Sequence, residues 1–307
     1  MSLASHQEQF ITLKNGDTFC YAEHGNDTQG TILLIAGLGL QLVYWPSALI
    51  ERLVTSGYRV ICFDNRDAGR SVRSTTPHPS LLQQLRGKAP KGAYGLDRMA
   101  EDTAQLLEGL NINSAHVVGM SMGGMIAQTL ASTYPDVVDS MTSIFSTTGS
   151  RKVGQPSYST LWRIARAKAP KSESDAIINY RAMMTHIGDI NAEGATSQWQ
   201  QYAKLAWHRN GSKSDSKAVF RQIGAIMKSG DRTRLLNKVS APTLVIHGDV
   251  DRMVHPSGGV ATANAISGAK HQVLRGLRHQ IDTIQSHRIA DSILGHIKLH
   301  TGHKHEA

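Results

Sequence analysis

The sequence predicts an α/β protein: a mostly parallel sheet of eight strands flanked by helices, with a helical segment inserted late in the chain. Three observations carry this expectation. Short apolar runs rich in Val and Ile alternate with amphipathic stretches of about a dozen residues, the pattern of parallel strands joined by helical crossovers. An Asn15-Gly16 pair splits two alternating runs near the start, which adds an antiparallel hairpin at one edge. From about Gly149 to Arg234 no strand pattern occurs and helical stripes replace it, before the alternation resumes.

Taken in order, Gln9 to Lys14 and Asp17 to His24 are the arms of the hairpin. Thr31 to Ala36 is a continuous apolar strand ending in Gly37-Leu38-Gly39. Tyr44 to Ser56 has helical periodicity, with Trp45, Leu49 and Leu53 on one side, and Gly57 stops it. Tyr58 to Phe63 is the next strand, followed by the polar loop Asp64-Asn65-Arg66-Asp67-Ala68-Gly69-Arg70-Ser71, which is expected to shape a turn. Thr75 to Gly95 is expected to be irregular, apart from a short turn at Leu81 to Leu85. Asp97 is the expected N-cap of a helix running to about Gly109. His116-Val117-Val118 reads as a buried strand, Met125 to Ala131 as a helix ending at Tyr134-Pro135, and Val137 to Phe145 as another strand.

Four helical stripes follow: Leu161/Trp162/Ile164/Ala165, Ile177/Ile178/Met183/Met184/Ile187, Trp199/Tyr202/Leu205/Ala206 and Val219/Phe220/Ile223/Ile226/Met227. The chain closes with a strand at Thr243 to His247, a helix from Pro256 to Ile266, a short strand at His271 to Leu274 and a helix from Thr283 to Leu299. The expected division is therefore a core domain of residues 1–148 and 235–307, with residues 149–234 inserted as a helical cap.

Composition narrows the class. At 307 residues, 40% hydrophobic and 19% charged, the chain can bury a large core. Met1 to Gln9 is polar, so no secretory signal is expected, and no apolar run is long enough for a membrane span. A cytoplasmic location is the expectation. Cys20 and Cys62 fall inside strands and are expected to be buried free thiols. The net charge of +9 is concentrated in one place, since Arg151 to Arg234 holds fifteen Lys/Arg against six Asp/Glu. These cations are scattered rather than clustered with aromatics, so a solvated positive lid is expected and a nucleic-acid surface is not. The surplus could still concentrate anionic substrates. A homodimer is compatible with the sequence. Gly37-x-Gly39 after a strand is a weak dinucleotide signal, because position 42 is Leu. His296, His300, His303 and His305 are read as a solvent-exposed end and not as metal ligands.

The chemistry is carried by Gly119-Met120-Ser121-Met122-Gly123, set between a strand and a helix. In that setting Gly-x-Ser-x-Gly reads as a nucleophile elbow, a turn so tight that the serine backbone is strained. A side chain two residues either side would collide with the neighbouring strand and helix, hence the glycines. The hydroxyl would stand at a helix N-terminus, where amides and the helix dipole favour negative charge. A serine hydroxyl needs a base, and that base needs an acid to fix its tautomer. On such a sheet these follow in the order Ser, Asp/Glu, His at the carboxyl ends of strands. The loop His247-Gly248-Asp249-Val250-Asp251-Arg252-Met253-Val254-His255-Pro256 offers Asp249 and Asp251. Gly276-Leu277-Arg278-His279 offers His279.

With these residues the chain resembles the α/β-hydrolase superfamily, in its capped, esterase-like branch. It is especially similar to bacterial polyketide (aclacinomycin-type) methylesterases. The likeness rests on Ala36-Gly37-Leu38-Gly39-Leu40 with Trp45 downstream, on Phe63 to Ser71, on Gly119 to Ala127 and on Pro242 to Pro256. It implies an α/β-hydrolase fold with Ser121 as nucleophile and His279 as base. It favours Asp251 over Asp249 as the acid, leaving Asp249 to brace the loop. It also implies an oxyanion hole made by the backbone N–H groups of Leu38 and Met122. Two positions depart from the family pattern: Ala36 replaces the usual His, and Arg278 replaces a common glycine before the histidine and is expected to point outward.

The implied activity is hydrolysis of a small-molecule carboxylic ester, methyl esters included, with no cofactor. Trp45, Trp162, Met183 and Trp199 are the candidate pocket residues beneath the cap. A C–C bond hydrolase, a lactonase or a cofactor-free perhydrolase would use the same three residues, and a small-molecule receptor could retain the fold. Serine at the elbow excludes chemistry that needs an aspartate there.

Overall fold

A computed structural model describes residues 7–301. Strands β1 (Glu8–Thr12) and β2 (Thr18–His24) form the expected hairpin. Gly16 takes the left-handed conformation (φ +84°) that this tight turn requires, while the Asp17 amide donates to Asn15 Oδ1 at 2.8 Å. Strands β3 (Thr31–Ile35), β4 (Arg59–Phe63), β5 (Ala115–Met120), β6 (Val138–Ile144), β7 (Thr243–Gly248) and β8 (Lys270–Leu274) complete an eight-stranded sheet ordered β1-β2-β4-β3-β5-β6-β7-β8. β1 and β2 pair antiparallel, as do β2 and β4, and every other neighbour is parallel.

Alternate residues of the central strands feed two apolar layers. Leu33, Ile35, Ile61, Phe63 and Val117 face helices α3 (Leu96–Gly109) and α4 (Met122–Thr133). Ile32, Leu34, Val60, Cys62, Val118 and Met120 face α1 (Ser47–Thr55) and α11 (Thr283–Thr301), through Leu49, Leu53, Ile289 and Ile293. Both faces of β3 are covered, which is why its sequence is continuously apolar and not alternating. Cys20 and Cys62 are free and buried.

Some boundaries differ from expectation. Pro46 ends a short 3-10 turn (Leu42–Tyr44) and delays α1 to Ser47. The turn at Leu81 is a helix, α2 (Leu81–Leu85), because Ser80 and Gln83 form a reciprocal capping box. Asp97 is not the N-cap of α3: Gly95 holds that place, and Ser229 Oγ, from outside the helix, accepts from the Leu96 amide at 2.8 Å.

Between β6 and β7 the described chain is helical: α5 (Tyr158–Arg166), α6 (Glu173–Ile187), α7 (Ala195–Arg209), α8 (Ser216–Ser229) and a short α9 (Thr233–Leu236). The basic surplus here is not all solvated. Arg209, Arg221 and Arg232 are buried, because each finds an internal partner. Arg209 pairs with Asp64 (2.8 Å) and Glu8 (2.8 Å), and Arg221 with Asp67. Arg232 donates to the Thr147 carbonyl at 2.7 Å. At the C-terminal end His296 is buried and lies 3.2 Å from the Pro242 carbonyl, so α11 is packed this far and not frayed. His303 and His305 lie outside the described residues. α10 (Ser257–Ala265) follows the β7 loop.

Candidate active site

β5 delivers Ser121 to the point where strand becomes helix. Its backbone is strained, with φ +53° and ψ −121°, a region that a side chain rarely adopts. The turn is held because the Ser121 amide donates to the Ile144 carbonyl (2.9 Å) and its carbonyl accepts from Ser146 Oγ (2.7 Å). The motif glycines are obligatory for contact reasons. A β-carbon on Gly123 would stand 2.0 Å from the Ile35 carbonyl oxygen, and one on Gly119 would stand 2.2 Å from the Gly123 oxygen.

β7 and β8 deliver the two partners. His279 Nε2 lies 3.0 Å from Ser121 Oγ, and His279 Nδ1 lies 2.8 Å from Asp251 Oδ2. An ionised carboxylate only accepts, so Nδ1 carries the proton and Nε2 is left to accept from the serine hydroxyl. Asp251 Oδ1 accepts from the amides of Met253 (2.8 Å) and Val254 (3.0 Å). Burial alone would raise the Asp251 carboxyl. The attraction and hydrogen bond of the His279 ring, the His247 ring and the Val254 amide outweigh it and hold the group well below the usual carboxylate range. Asp249 does not touch the histidine. Its Oδ1 accepts from the Gly276 amide at 2.7 Å, bracing the turn that leads to His279. Arg278 is partly exposed and forms no ion pair with a described residue.

The loop after β3 runs against the elbow, and a β-carbon on Gly37 would stand 3.3 Å from that of Ser121. The Leu38 and Met122 amides donate to no acceptor among the described residues. Asp64 and Asn65 shape this region rather than entering it. Asp64 Oδ1 accepts from the Leu42 amide (2.7 Å), and Asn65 Nδ2 donates to the Ala36 carbonyl (3.0 Å).

Several residues that the sequence did not single out hold the site together. Gln222 on α8, fully buried, accepts from the Gly39 amide (2.8 Å) and donates to the Arg66 carbonyl (2.8 Å), tying the Leu38 loop down. Phe145, directly after β6, packs its ring 4.6 Å from that of His279. His247, also fully buried, donates from Nε2 to the Val254 carbonyl at 2.9 Å. The inserted helices reach both partner loops. The His279 amide donates to the Ile187 carbonyl, and the Ser157 amide and Thr160 Oγ1 both donate to the Arg252 carbonyl, all at 3.0 Å.

The four pocket candidates separate. Met183 and Trp199 belong to an apolar cluster with Met184 and Ile187 that packs on Met253, two residues past Asp251. Trp45 is 2% exposed in the core layer with Leu42, Leu49 and Leu277, where helix packing takes it. Trp162 is not brought to the site at all: it is 58% exposed, with the Arg166 guanidinium 4.4 Å over its ring. Among the described residues no group of three His, Cys, Asp or Glu is placed to hold a metal ion.

The chain is similar to known proteins over most of its length. The chain is 27% identical to rhodomycin D methylesterase DnrP of Streptomyces peucetius, over 90% of this chain and 94% of that protein. It is 24% identical to a bifunctional esterase/perhydrolase of Acinetobacter calcoaceticus, over 94% and 99%. Among solved structures, a meta-cleavage product hydrolase of Pseudomonas fluorescens superposes with a TM-score of 0.72 at 19% identity, over 94% of this chain and 97% of that one. The alpha/beta hydrolase fold profile matches residues 30–281. The chain belongs to the alpha/beta hydrolase fold family.

Proposed function

We propose that this protein is a serine hydrolase that cleaves small-molecule carboxylic esters through an acyl-enzyme. The observation that carries the reading is the unbroken relay from Ser121 Oγ to His279 (3.0 Å) to Asp251 (2.8 Å) at the end of a strained elbow. In this reading Ser121 attacks the ester carbonyl as His279 Nε2 takes its proton. The tetrahedral oxyanion rests on the Leu38 and Met122 amides, donors that each contribute about 10²–10³ in turnover in related chemistry. His279 then protonates the leaving alcohol, and water activated by the same ring releases the acid. Asp251 holds the ring in the required tautomer throughout.

Residues 149–234 act as a cap over this site, and the apolar cluster of Met183, Met184 and Trp199 against Met253 favours a small to medium apolar acyl or alcohol group. The methylesterase names of the Streptomyces relatives support an ester, methyl esters among them. The perhydrolase and meta-cleavage product hydrolase among the similar proteins make C–C cleavage or perhydrolysis the second reading, on the same three residues. A panel of p-nitrophenyl and methyl esters, run beside a vinylogous diketone and peracid formation, tests the choice. Steady ester turnover abolished in Ser121→Ala is expected. Turnover confined to the diketone, or ester turnover unaffected by Ser121→Ala, would overturn it.

A further inference from the structure

The helix α5 is packed the wrong way round for a water-facing element. Its buried side chain is polar: Thr160, fully buried, donates to the Arg252 carbonyl at 3.0 Å and lies 2.9 Å from His186 Nε2. Its large apolar side chains point to solvent, among them Tyr158 at 92%, Trp162 at 58% and Leu161 at 46% exposed. These three recur at helical spacing and share one face. An aromatic and aliphatic face of this kind, left open to water, marks a contact surface.

The charge around it says what it contacts. From residue 149 to 172 there are six cations and no acid: Arg151, Lys152, Arg163, Arg166, Lys168 and Lys171. All six are exposed, and none forms an ion pair with a described residue. Arg166 lies over the Trp162 ring, so one of these charges sits at the rim of the apolar face itself. A short amphipathic helix with Tyr, Trp and Leu on one side and Lys/Arg along its border has the composition of an element that lies in the headgroup–acyl boundary of a bilayer. A neutral protein partner would gain nothing from the unpaired cations, whereas an anionic surface would.

We propose that α5 docks this protein peripherally on an anionic phospholipid surface, with Tyr158, Leu161 and Trp162 in the boundary and Arg163, Arg166, Lys168 and Lys171 against the headgroups. Among the described residues no helix is long and apolar enough to cross a membrane, so the attachment is to one face. Through Thr160 the docked helix is tied to the residue after Asp251, which brings the lipid surface close to the proposed catalytic loops. That consequence rests on the hydrolase reading; the docking itself does not.

Tryptophan emission and co-sedimentation test the docking together. Trp45, Trp199 and Trp207 are buried, so Trp162 is the indole that reports on this face. Vesicles of phosphatidylglycerol with phosphatidylcholine should pellet the protein at least tenfold more than phosphatidylcholine alone. They should also shift its emission to the blue. Binding should fall about fivefold for each cation neutralised, as in Arg163→Gln or Lys168→Gln, and should weaken with salt. The shift, but not the sedimentation, should vanish in Trp162→Phe. The variant Tyr158→Ser/Leu161→Ser/Trp162→Ser should stay in solution, its fold checked by circular dichroism. Equal pelleting with neutral and anionic vesicles, or none with either, would overturn the proposal. So would a wild-type dimer in light scattering that this triple variant renders monomeric, because a second copy would then cover the face. Vesicle binding by a protein inactive on every ester would leave docking standing while the hydrolase reading failed.

Discussion

Arg209→Met probes the buried joint between α7 and the loop after β4. The Arg209 side chain is 2% exposed, and its guanidinium spends its donors on Glu8 (2.8 Å), Asp64 (2.8 Å) and Gln41. Asp64 is wholly buried, so removing the cation strands a carboxylate in the interior. Breaking a buried pair on one side costs about 3–5 kcal/mol. Asp64 keeps the amides of Leu42 (2.7 Å) and Arg70 (2.8 Å), and Glu8 keeps Arg70 (2.8 Å), which places the loss near the lower end, about 3 kcal/mol. Urea unfolding followed by tryptophan emission measures it, and an unchanged m-value shows that stability alone has moved. The double variant Asp64→Asn/Arg209→Met should be less unstable than the two single losses summed, by about 1–3 kcal/mol. A single variant within 1 kcal/mol of wild type, with strictly additive losses, would refute the idea that this pair bolts α7 to the loop after β4.

Four further outcomes follow from the same geometry. Asp251→Asn should lower ester turnover by about 10⁴ with little change in KM, since the amide favours the wrong imidazole tautomer. Because the folded Asp251 carboxyl is depressed, its stabilisation is complete above the unfolded value of about 4 and is lost as pH falls toward the folded one. The unfolding gap between wild type and Asp251→Asn should therefore be flat above about pH 5 and shrink below about pH 4; a gap that widens in acid contradicts the assignment. Gly123→Ala forces a β-carbon to within 2.0 Å of a backbone oxygen and should cost about 4 kcal/mol or more, whereas Gly295→Ala, where a β-carbon meets nothing, should stabilise by about 0.5–1 kcal/mol in thermal melts. Cys62 is fully buried and its thiol is pushed far up by burial and the Asp64 charge, so a thiol reagent should label it only after unfolding.

How far the sequence reached depended on the range of each interaction. The hairpin, the elbow and the alternation of strand with helix rest on neighbours in the chain, and a local pattern records them. Gly119 and Gly123 announced their own reason, because a tight turn beside a strand excludes a β-carbon wherever it occurs. Asp249 and Asp251 are separable only by a family likeness, since both lie in the same loop after β7 and only three-dimensional closure decides which one reaches His279. The Arg209–Asp64 pair spans 145 positions and the Gln222–Gly39 bond 183, so polar residues that read as turn formers and helix surface turn out to be buried partners. Trp162 misled for a related reason: a hydrophobic stripe shows that a helix has an apolar side, but not which way that side faces.

The most direct measurement is mass spectrometry of the protein quenched in acid during turnover of a p-nitrophenyl ester, followed by peptide mapping. The acyl mass is expected on Ser121, accumulating in step with the early release of nitrophenol and absent from Ser121→Ala. An adduct on another residue, or full turnover in Ser121→Ala with no adduct anywhere, would contradict it.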